Sequence, residues 1–287
     1  MGSAQQESSA VPARPVEFEP CFGDVPRHFA RDGDLVLSHL FAVLSSVFPE
    51  GEAYFVRSVR AVRDRITDPG LRREVEGFIG QETMHGREHA AFNDRLAELG
   101  YPVRPIGTYV RRLTQLRERC LDDKGNLAVV AALEHYTATL AETLLGEPEA
   151  RAEMEHDGAR HLFLWHALEE AEHKAVAFDV YRHCGGTERI RILTMWVIHL
   201  NFLLETSIWT AISLGRDPAA RRHPVRLLRS VWRLRRSPFT SLRTVRKLLR
   251  YHRRGFHPCD WESSELISTW RSELFGRDGA LTELLVN

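Results

Sequence analysis

The stretch that decides the fold is Trp165-His-Ala-Leu-Glu-Glu-Ala-Glu-His-Lys174, which carries a His-x-x-x-Glu-x-x-His run. His166, Glu170 and His173 lie four and three residues apart in it. Positions three and four apart share one face of an α-helix, so these three side chains would line a single stripe. A helix that points two imidazoles and a carboxylate in one direction is suited to binding a metal ion.

The Glu-x-x-His spacing recurs upstream, and each pair follows an isolated glutamate. Glu82 and His85 form the upstream pair, and Glu52 and Glu134 precede the two pairs by about one helix and one loop. A ferritin-like dinuclear bundle takes one Glu from each of two helices and Glu-x-x-His from each of two others. The sequence therefore predicts seven metal ligands, which are Glu52, Glu82, His85, Glu134, His166, Glu170 and His173.

The isolated glutamates lie among apolar residues. Glu134 follows Val129-Val-Ala-Ala-Leu133, and Glu52 lies close to Phe48 and Phe55. Burying an unpaired carboxylate costs several kcal/mol, so a metal or a partner is implied. Glu and His ligands without thiolate suit iron or manganese, whereas the order of metal affinities leaves zinc open. We therefore expect two iron ions, with manganese or zinc as alternatives.

Other residues compete with these ligands or support them. Glu169 also lies on the face of His173 and gives an alternative register, and Glu142 competes with Glu134. For His166, the alternative to a ligand is a histidine that packs beside the site. We expect three residues to contact the ligands from outside the centre, with Asp179 accepting a hydrogen bond from a ligand imidazole. They are His89, His135 and Asp179.

Apolar residues at helical spacing recur along the chain, and strand signals are scarce. The predicted fold is therefore all-α, a ferritin-like di-iron helical bundle with additional C-terminal helices. Residues 1–16 are predicted to be a disordered leader and residues 17–287 a single helical domain. Within it, the metal-binding bundle spans about residues 34–185, and C-terminal apolar and basic helices span about residues 187–280.

Three local patterns predict where helices begin and end inside the bundle. Pro49 predicts a break between one helix that ends at Phe48 and another that resumes at Glu50. Asp123-Lys-Gly-Asn126 predicts a turn in which Asn126 caps the next helix. A further helix is expected to run from Pro148 to Cys184, loosened at Asp157-Gly158.

Charge is balanced overall but unevenly distributed. The chain has 39 basic and 39 acidic residues, yet residues 216–254 hold thirteen arginines and one lysine against a single acidic residue, Asp217. Basic and apolar residues interleave at helical spacing in Val225–Arg236 and Leu242–Tyr251, which predicts amphipathic helices with basic outer faces. We expect contact with an anionic membrane surface or a lipid-like substrate. The alternatives are a solvated surface or a homodimer contact, and no nucleic-acid partner is expected because no binding module is recognised.

The segment Ile192–Leu214 is apolar and long enough to span a bilayer. His199, Asn201 and Glu205 interrupt it, and such groups are costly in lipid. We therefore expect a helix buried against the bundle, with His199 or Glu205 facing a substrate channel. Four scattered cysteines and an N-terminus without an apolar signal core favour a cytoplasmic protein. The basic and apolar C-terminal part adds the prediction that this protein associates with a membrane.

The sequence resembles a bacterial family described as predicted metal-dependent hydrolases, over about residues 30 to 275. The stretches that carry the resemblance are Phe48-Pro-Glu-Gly-Glu52, Gln81-Glu-Thr-Met-His-Gly-Arg-Glu-His89, Ala132-Leu-Glu-His-Tyr136, Trp165–Lys174, Ala177-Phe-Asp179 and Phe256-His-Pro258. The ligand pattern is also similar to that of the dinuclear-iron N-oxygenases that act on aryl-amines, whose third metal helix carries the same His-x-x-x-Glu-x-x-His run. That second likeness concerns the site alone, so it implies a reaction class and not a substrate.

The predicted function is a dinuclear iron oxygenase that activates O2 and oxidises an organic small molecule, either an amine or a lipid-like substrate. The metal centre itself would be the catalytic group. The alternative is a metal-dependent hydrolase that uses a metal-activated water, and a second alternative is a non-catalytic metal-binding protein. The sequence has no flavin or nicotinamide fingerprint, so it identifies no electron donor.

Overall fold

The computed structural model describes residues 11–286, and within them the regular structure is helical apart from two isolated β-bridges. The α-helices are α1 (Leu35–Arg60), α2 (Pro69–Glu98), α3 (Val103–Cys120), α4 (Asp123–Gly146), α5 (Pro148–Arg151), α6 (Asp157–His173), α7 (Val176–His183), α8 (Glu188–Arg216), α9 (Pro218–Arg222), α10 (Pro224–Leu234), α11 (Leu242–Leu249) and α12 (Ser264–Phe275). The predicted all-α fold with additional C-terminal helices is confirmed.

Helices α1, α2, α4 and α6 form the bundle, and two clusters of apolar side chains fill its interior. Helix α1 packs on α2, α4 packs on α6, and α2 contacts α6 across the interior. One apolar cluster holds Phe41 and Phe92, and the other holds Phe55 and Phe78. In α1 and α2 the predicted ligands fall between the segments that belong to these two clusters, so a polar layer crosses the middle of an apolar interior.

Pro49 lies inside α1 and does not break it, so the predicted interruption is wrong. Proline has no backbone N–H, and in a helix this leaves the carbonyl four residues earlier without its usual donor. That carbonyl belongs to Ser45, and the side-chain amide of Asn93 on α2 donates to it over 2.9 Å. A contact between helices thus replaces the missing hydrogen bond within the helix.

Two further helix boundaries differ from those predicted. Asp122, not Asn126, caps α4, because its side chain accepts from the backbone N–H of Gly125. The segment from Pro148 to Cys184 is not one helix but three, α5 to α7. Its first break comes at residues 152–156, where the backbone pairs with residues 29–31 instead of continuing the helix.

Residues 11–16 are ordered, so the predicted leader is wrong for this part. Val16 is fully buried and forms an antiparallel bridge with Leu285. The backbone N–H of Val286 donates to the carbonyl of Pro15 over 3.0 Å. The rest of the predicted leader, residues 1–10, lies outside the described residues.

Helix α8 lies across α1 and α4, but the prediction that it is buried is wrong for its outer face. Only 11% of its most apolar stretch is buried. Leu193 and Leu203 are 66% and 65% exposed because no other element within residues 11–286 covers them. By length and composition alone, α8 is long and apolar enough to cross a membrane.

Candidate metal centre

The seven predicted ligands meet in the middle of the bundle, supplied by α1, α2, α4 and α6. They form two neighbouring groups, and within each group the ligand atoms lie within 4.8 Å of one another. The first group is Glu52, His85 and His166, and the second is Glu82, Glu134, Glu170 and His173. All seven side chains are buried, so the cluster is enclosed by the bundle.

Glu82 and Glu170 approach both groups. Glu82 Oε1 lies 3.1 Å from His173 Nε2 and 3.9 Å from His85 Nδ1. Glu170 Oε1 lies 3.0 Å from His166 Nε2 and 3.8 Å from His85 Nδ1. These two glutamates belong to the Glu-x-x-His pairs, and their position between the groups is that of carboxylates able to bridge two cations.

Many polar atoms of the cluster have no hydrogen-bond partner within residues 11–286. They include both carboxylate oxygens of Glu52, Glu82 and Glu134, together with His85 Nδ1. Glu82 Oε1 is close to His173 Nε2, but the two atoms are not aligned as a hydrogen bond. Leaving such groups buried and unpaired costs several kcal/mol. Four carboxylates also match the charge of two divalent cations, so the donor set fits a dinuclear centre.

The protonation of the carboxylates follows from their burial. Burial, followed by repulsion from neighbouring carboxylates, raises the pKa of Glu52 and of Glu82 well above the ordinary range. Burial and then the charge of Glu170 raise the pKa of Glu134 to about 7. For Glu170, burial also acts to raise the pKa, but the charge of His173 and the hydrogen bond with His166 hold the pKa well below the ordinary range. Cations compete with protons for such ligands, so metal binding here would release protons.

Each ligand imidazole is held through its other ring nitrogen. His85 Nε2 lies 3.1 Å from Glu169 Oε2, and His173 Nδ1 lies 2.8 Å from Gln81 Oε1. His166 Nδ1 lies 2.8 Å from Nε2 of His89, the residue expected to contact a ligand from outside. Such contacts fix the tautomer and the orientation of a ligand imidazole.

Arg14 anchors the outside of the centre from the N-terminal segment. Its guanidinium donates to Glu169 over 3.1 Å and to Glu172 over 2.7 and 2.8 Å. Gln81 also donates to Glu172, over 3.2 Å. Sequence reasoning missed both Arg14 and Gln81. Gln81 had a signal, because it directly precedes Glu82, whereas Arg14 lies far from the motifs and had none.

Three predicted participants lie outside the cluster. His135 Nε2 contacts the backbone carbonyls of Lys247 and Leu248, because it points away from the side of α4 that carries Glu134. Asp179 accepts from His257 Nε2 over 2.9 Å and not from a ligand imidazole. The alternative ligand Glu142 is held elsewhere, by the side chains Lys174, Lys247, Trp261 and Ser263.

An apolar cavity of about 100 Å³ adjoins the cluster, with Glu52 and Glu170 in its wall. Helices α1, α3, α4 and α8 supply the other walls, which are mostly apolar. Glu205 of α8 lines this cavity and accepts a hydrogen bond from the Tyr109 hydroxyl over 2.9 Å. His199 does not line it and contacts Tyr136 and His252 instead.

The fold and the cluster together define a helical bundle with a buried Glu/His site that could hold metal. The family model described as a predicted metal-dependent hydrolase matches residues 12–262, and the chain belongs to that family. The family resemblance seen in the sequence is therefore confirmed. No curated protein and no solved structure matches the chain.

Proposed function

We propose that the protein is a dinuclear iron enzyme that uses O2 to oxidise an apolar organic substrate. The observation that carries this proposal is the cluster of buried, largely unpartnered carboxylates and imidazoles beside an apolar cavity. When bound, two ferrous ions would supply electrons for the reduction of O2. Manganese and zinc fit the same donors, so the choice of iron rests on the carboxylate-rich ligand set.

In this function the protein's side chains would bind the metal ions, orient the ligand imidazoles and exclude water. Glu82 and Glu170 lie where they can join the two groups of ligands. Gln81, Glu169 and His89 orient the three imidazoles. The apolar wall beside Glu52 limits water near the site, which strengthens electrostatic interactions and suppresses side reactions.

The cavity supports an apolar substrate. Val47, Phe48 and Phe202 are among its lining residues, and apolar walls of this kind favour hydrocarbon or aromatic groups. Tyr109 and Glu205 supply a polar contact within the wall. We therefore propose that the substrate places an apolar portion in this cavity, next to Glu52 and Glu170.

Hydrolysis is the second candidate, and the family description supports it. A metal at the site would supply Lewis acidity for a hydrolytic reaction. Besides Glu52 and Glu170, Glu205 is the carboxyl among the lining residues, and burial raises its pKa. In a hydrolytic reaction, a protonated Glu205 would be the general acid that donates a proton to the leaving group.

Oxygen uptake separates the two candidates. The protein is loaded with ferrous iron under argon and mixed with oxygenated buffer, a reductant and either aniline or dodecanoic acid as a probe. We expect uptake of O2 well above that of the Glu134→Gln variant, and incorporation of labelled oxygen into one probe by mass spectrometry. The Glu142→Gln variant is the matched control, because it changes a buried glutamate of the same helix outside the cluster, and it should retain the uptake.

Three results would contradict the oxygenase proposal. The first is O2 uptake by the iron-loaded protein no greater than that of Glu134→Gln. The second is cleavage of an ester or phosphoester panel by zinc- or manganese-loaded protein, lost in Glu134→Gln, with no O2 uptake by the iron form. The second result would establish the hydrolase, and the third, iron oxidation without change in either probe, would favour non-catalytic metal binding.

A further inference from the structure

The outer face of α8 is an apolar stripe that no element within residues 11–286 covers. Leu193, Trp196, Leu200 and Leu203 follow one another at helical spacing and are 66%, 56%, 58% and 65% exposed. Soluble monomers rarely expose a continuous apolar surface of this kind unless another surface covers it.

Helices α10 and α11 have their polarity reversed relative to ordinary surface helices. They bury small polar residues, since Ser230 accepts from the backbone N–H of Val36 and Thr244 donates to the Pro238 carbonyl. They expose large apolar residues instead, with Leu228 69% and Leu242 72% exposed. An amphipathic helix normally buries its apolar face. Leu234 and Leu248 do pack against the core, but the rest of the apolar face of each helix is not covered within residues 11–286.

The three helices with exposed stripes pack on two helices of the bundle, α1 and α4. Helix α8 packs on both α1 and α4, α10 packs on α1, and α11 packs on α4. We call the outer sides of α8, α10 and α11 the docking face. Its stripes are contributed by consecutive parts of the C-terminal region, and each exposes large apolar side chains.

Arginines border this apolar surface. On α10, Arg229 follows Leu228, and on α11, Arg243 follows Leu242, so each arginine is turned about 100° from its apolar neighbour. Every arginine between residues 216 and 254 is exposed. Of these, Arg233 and Arg243 alone come within 4.0 Å of a carboxylate in residues 11–286. The border of the docking face therefore carries positive charge that carboxylates within residues 11–286 leave largely unneutralised.

We propose that the docking face binds the surface of an anionic membrane. Apolar side chains would enter the boundary between headgroups and acyl chains, while the bordering guanidinium groups contact lipid phosphates. Charge complementarity identifies this occupant, because an anionic surface matches both the apolar stripes and their basic borders. This inference goes beyond the proposed reaction and does not depend on it.

A membrane-spanning α8 fits the contacts of that helix poorly. Its inner side is joined to the rest of the protein by polar contacts, since Arg191 is buried and donates to the Tyr251 carbonyl, and Glu205 accepts from Tyr109. Helix α8 therefore lies along the bundle, with one face committed to the protein and the other free for the lipid surface.

A second copy of the chain fits the charge poorly. A two-fold interface brings the same patch of both copies together. It would place the exposed arginines of one copy, such as Arg229 and Arg246, near those of the other, and like charges across an interface are unfavourable. A phosphate-bearing lipid surface has the opposite sign.

Vesicle flotation with the full chain tests the proposal. We expect the protein to float with phosphatidylcholine vesicles that contain about 30% phosphatidylglycerol, and to float far less with pure phosphatidylcholine. Binding should weaken as salt rises from about 50 mM to about 500 mM, because salt screens the arginines.

Variants separate the apolar and the basic contributions. Two double variants are compared with wild type: Leu228→Glu with Leu242→Glu, and Arg229→Glu with Arg246→Glu. We expect each to lower the partition coefficient at least about tenfold, which corresponds to the loss of a few apolar or basic contacts. Leu116→Glu on α3 is the matched control, since Leu116 is 57% exposed outside the docking face, and it should bind like wild type. Unchanged unfolding temperature and metal content verify that the variants fold.

Three outcomes would overturn the proposal. Wild-type protein that fails to float with anionic vesicles even at low salt is one. A dimer in sedimentation velocity that Leu228→Glu and Leu242→Glu convert to monomer, without any vesicle binding, would make the face an interface between copies. Vesicle association that survives alkaline carbonate and is unaffected by the arginine variants would make α8 a membrane span.

Discussion

Glu134 and Glu142 lie about two turns apart on α4, and both are buried, but the protein treats them differently. Glu142 receives hydrogen bonds from Lys174 over 3.0 Å, from Ser263 over 2.8 Å and from the Trp261 indole over 2.6 Å. Neither oxygen of Glu134 has a hydrogen-bond partner within residues 11–286. The protein thus supplies hydrogen-bond partners to one of these glutamates and not to the other. We call Glu142 the completed position and Glu134 the open position.

The pKa values of the two carboxyls move in opposite directions. Burial raises the pKa at both positions. At Glu142 the charges of Lys174 and Lys247 outweigh burial, so its pKa falls below the ordinary value. At Glu134 the charge of His173, whose Nε2 lies 3.3 Å from Glu134 Oε2, lowers the pKa but does not outweigh burial and the charge of Glu170, so the pKa rises to about 7. A buried carboxylate that no lysine or arginine within residues 11–286 neutralises is therefore the mark of a site that takes a cation from outside.

The largest expected effect of a single substitution is on stability at the completed position. Glu142→Ala leaves the ammonium of Lys174 buried without its carboxylate, which should lower the free energy of unfolding by about 3–5 kcal/mol. Urea denaturation measures this change. The metal content of the folded variant should equal that of wild type, and a loss of less than about 1 kcal/mol would contradict the role given to this ion pair.

Metal should stabilise the open position. Titrating ferrous iron under argon to about 100 times the dissociation constant should raise the free energy of unfolding by about 3 kcal/mol per bound ion. Thermal unfolding with and without a chelator measures the effect, and Glu142→Gln should show the same increment. An unfolding temperature that does not respond to metal would show that the cluster is completed in some other way.

Without metal, a neutral residue at the open position should be stabilising. In metal-free protein, Glu134→Gln removes a buried carboxyl that repels its neighbours, and we expect a gain of about 1 kcal/mol, whereas Glu142→Gln should lose stability. Chemical denaturation in the presence of chelator compares the two variants. The comparison fails if both substitutions change stability in the same direction.

The smallest expected effect is the pH dependence of the completed position. The depressed pKa of Glu142, caused by Lys174 and Lys247, means that its contribution is present above the ordinary carboxyl pKa and is lost as pH falls through the folded value. The imidazole of His135 also lies near Glu142, but it is uncharged at neutral pH because burial lowers its pKa to about 4. The stability gap between wild type and Glu142→Gln should therefore shrink on acidification from neutral pH, and a gap that widens would contradict the assignment.

The sequence could predict the features that follow from helical periodicity. The stripes of Glu82 with His85 and of Glu170 with His173 depend only on spacing along one helix, and the structure brings them together. The same periodicity argues against the expected role of His135. It is adjacent to Glu134, so the turn of 100° per residue directs it away from the cluster, toward the backbone carbonyls of Lys247 and Leu248.

Features that depend on distant contacts could not be predicted. Helix α1 continues through Pro49 because Asn93, on another helix, supplies a donor. Arg14 reaches Glu172 because the N-terminal segment folds back over α6. The exposure of α8 depends on which elements cover its outer face, and hydrophobicity alone does not distinguish a helix covered by protein from one left open.

The ferrous iron content per chain tests the central claim most directly. Protein reconstituted under argon and freed of excess iron should retain two ions in wild type and in Glu142→Gln, and one or none in Glu134→Gln. Elemental analysis against protein concentration provides the count. Two ions retained by Glu134→Gln, or none by wild type, would contradict the account of Glu134 as a carboxylate left open for metal.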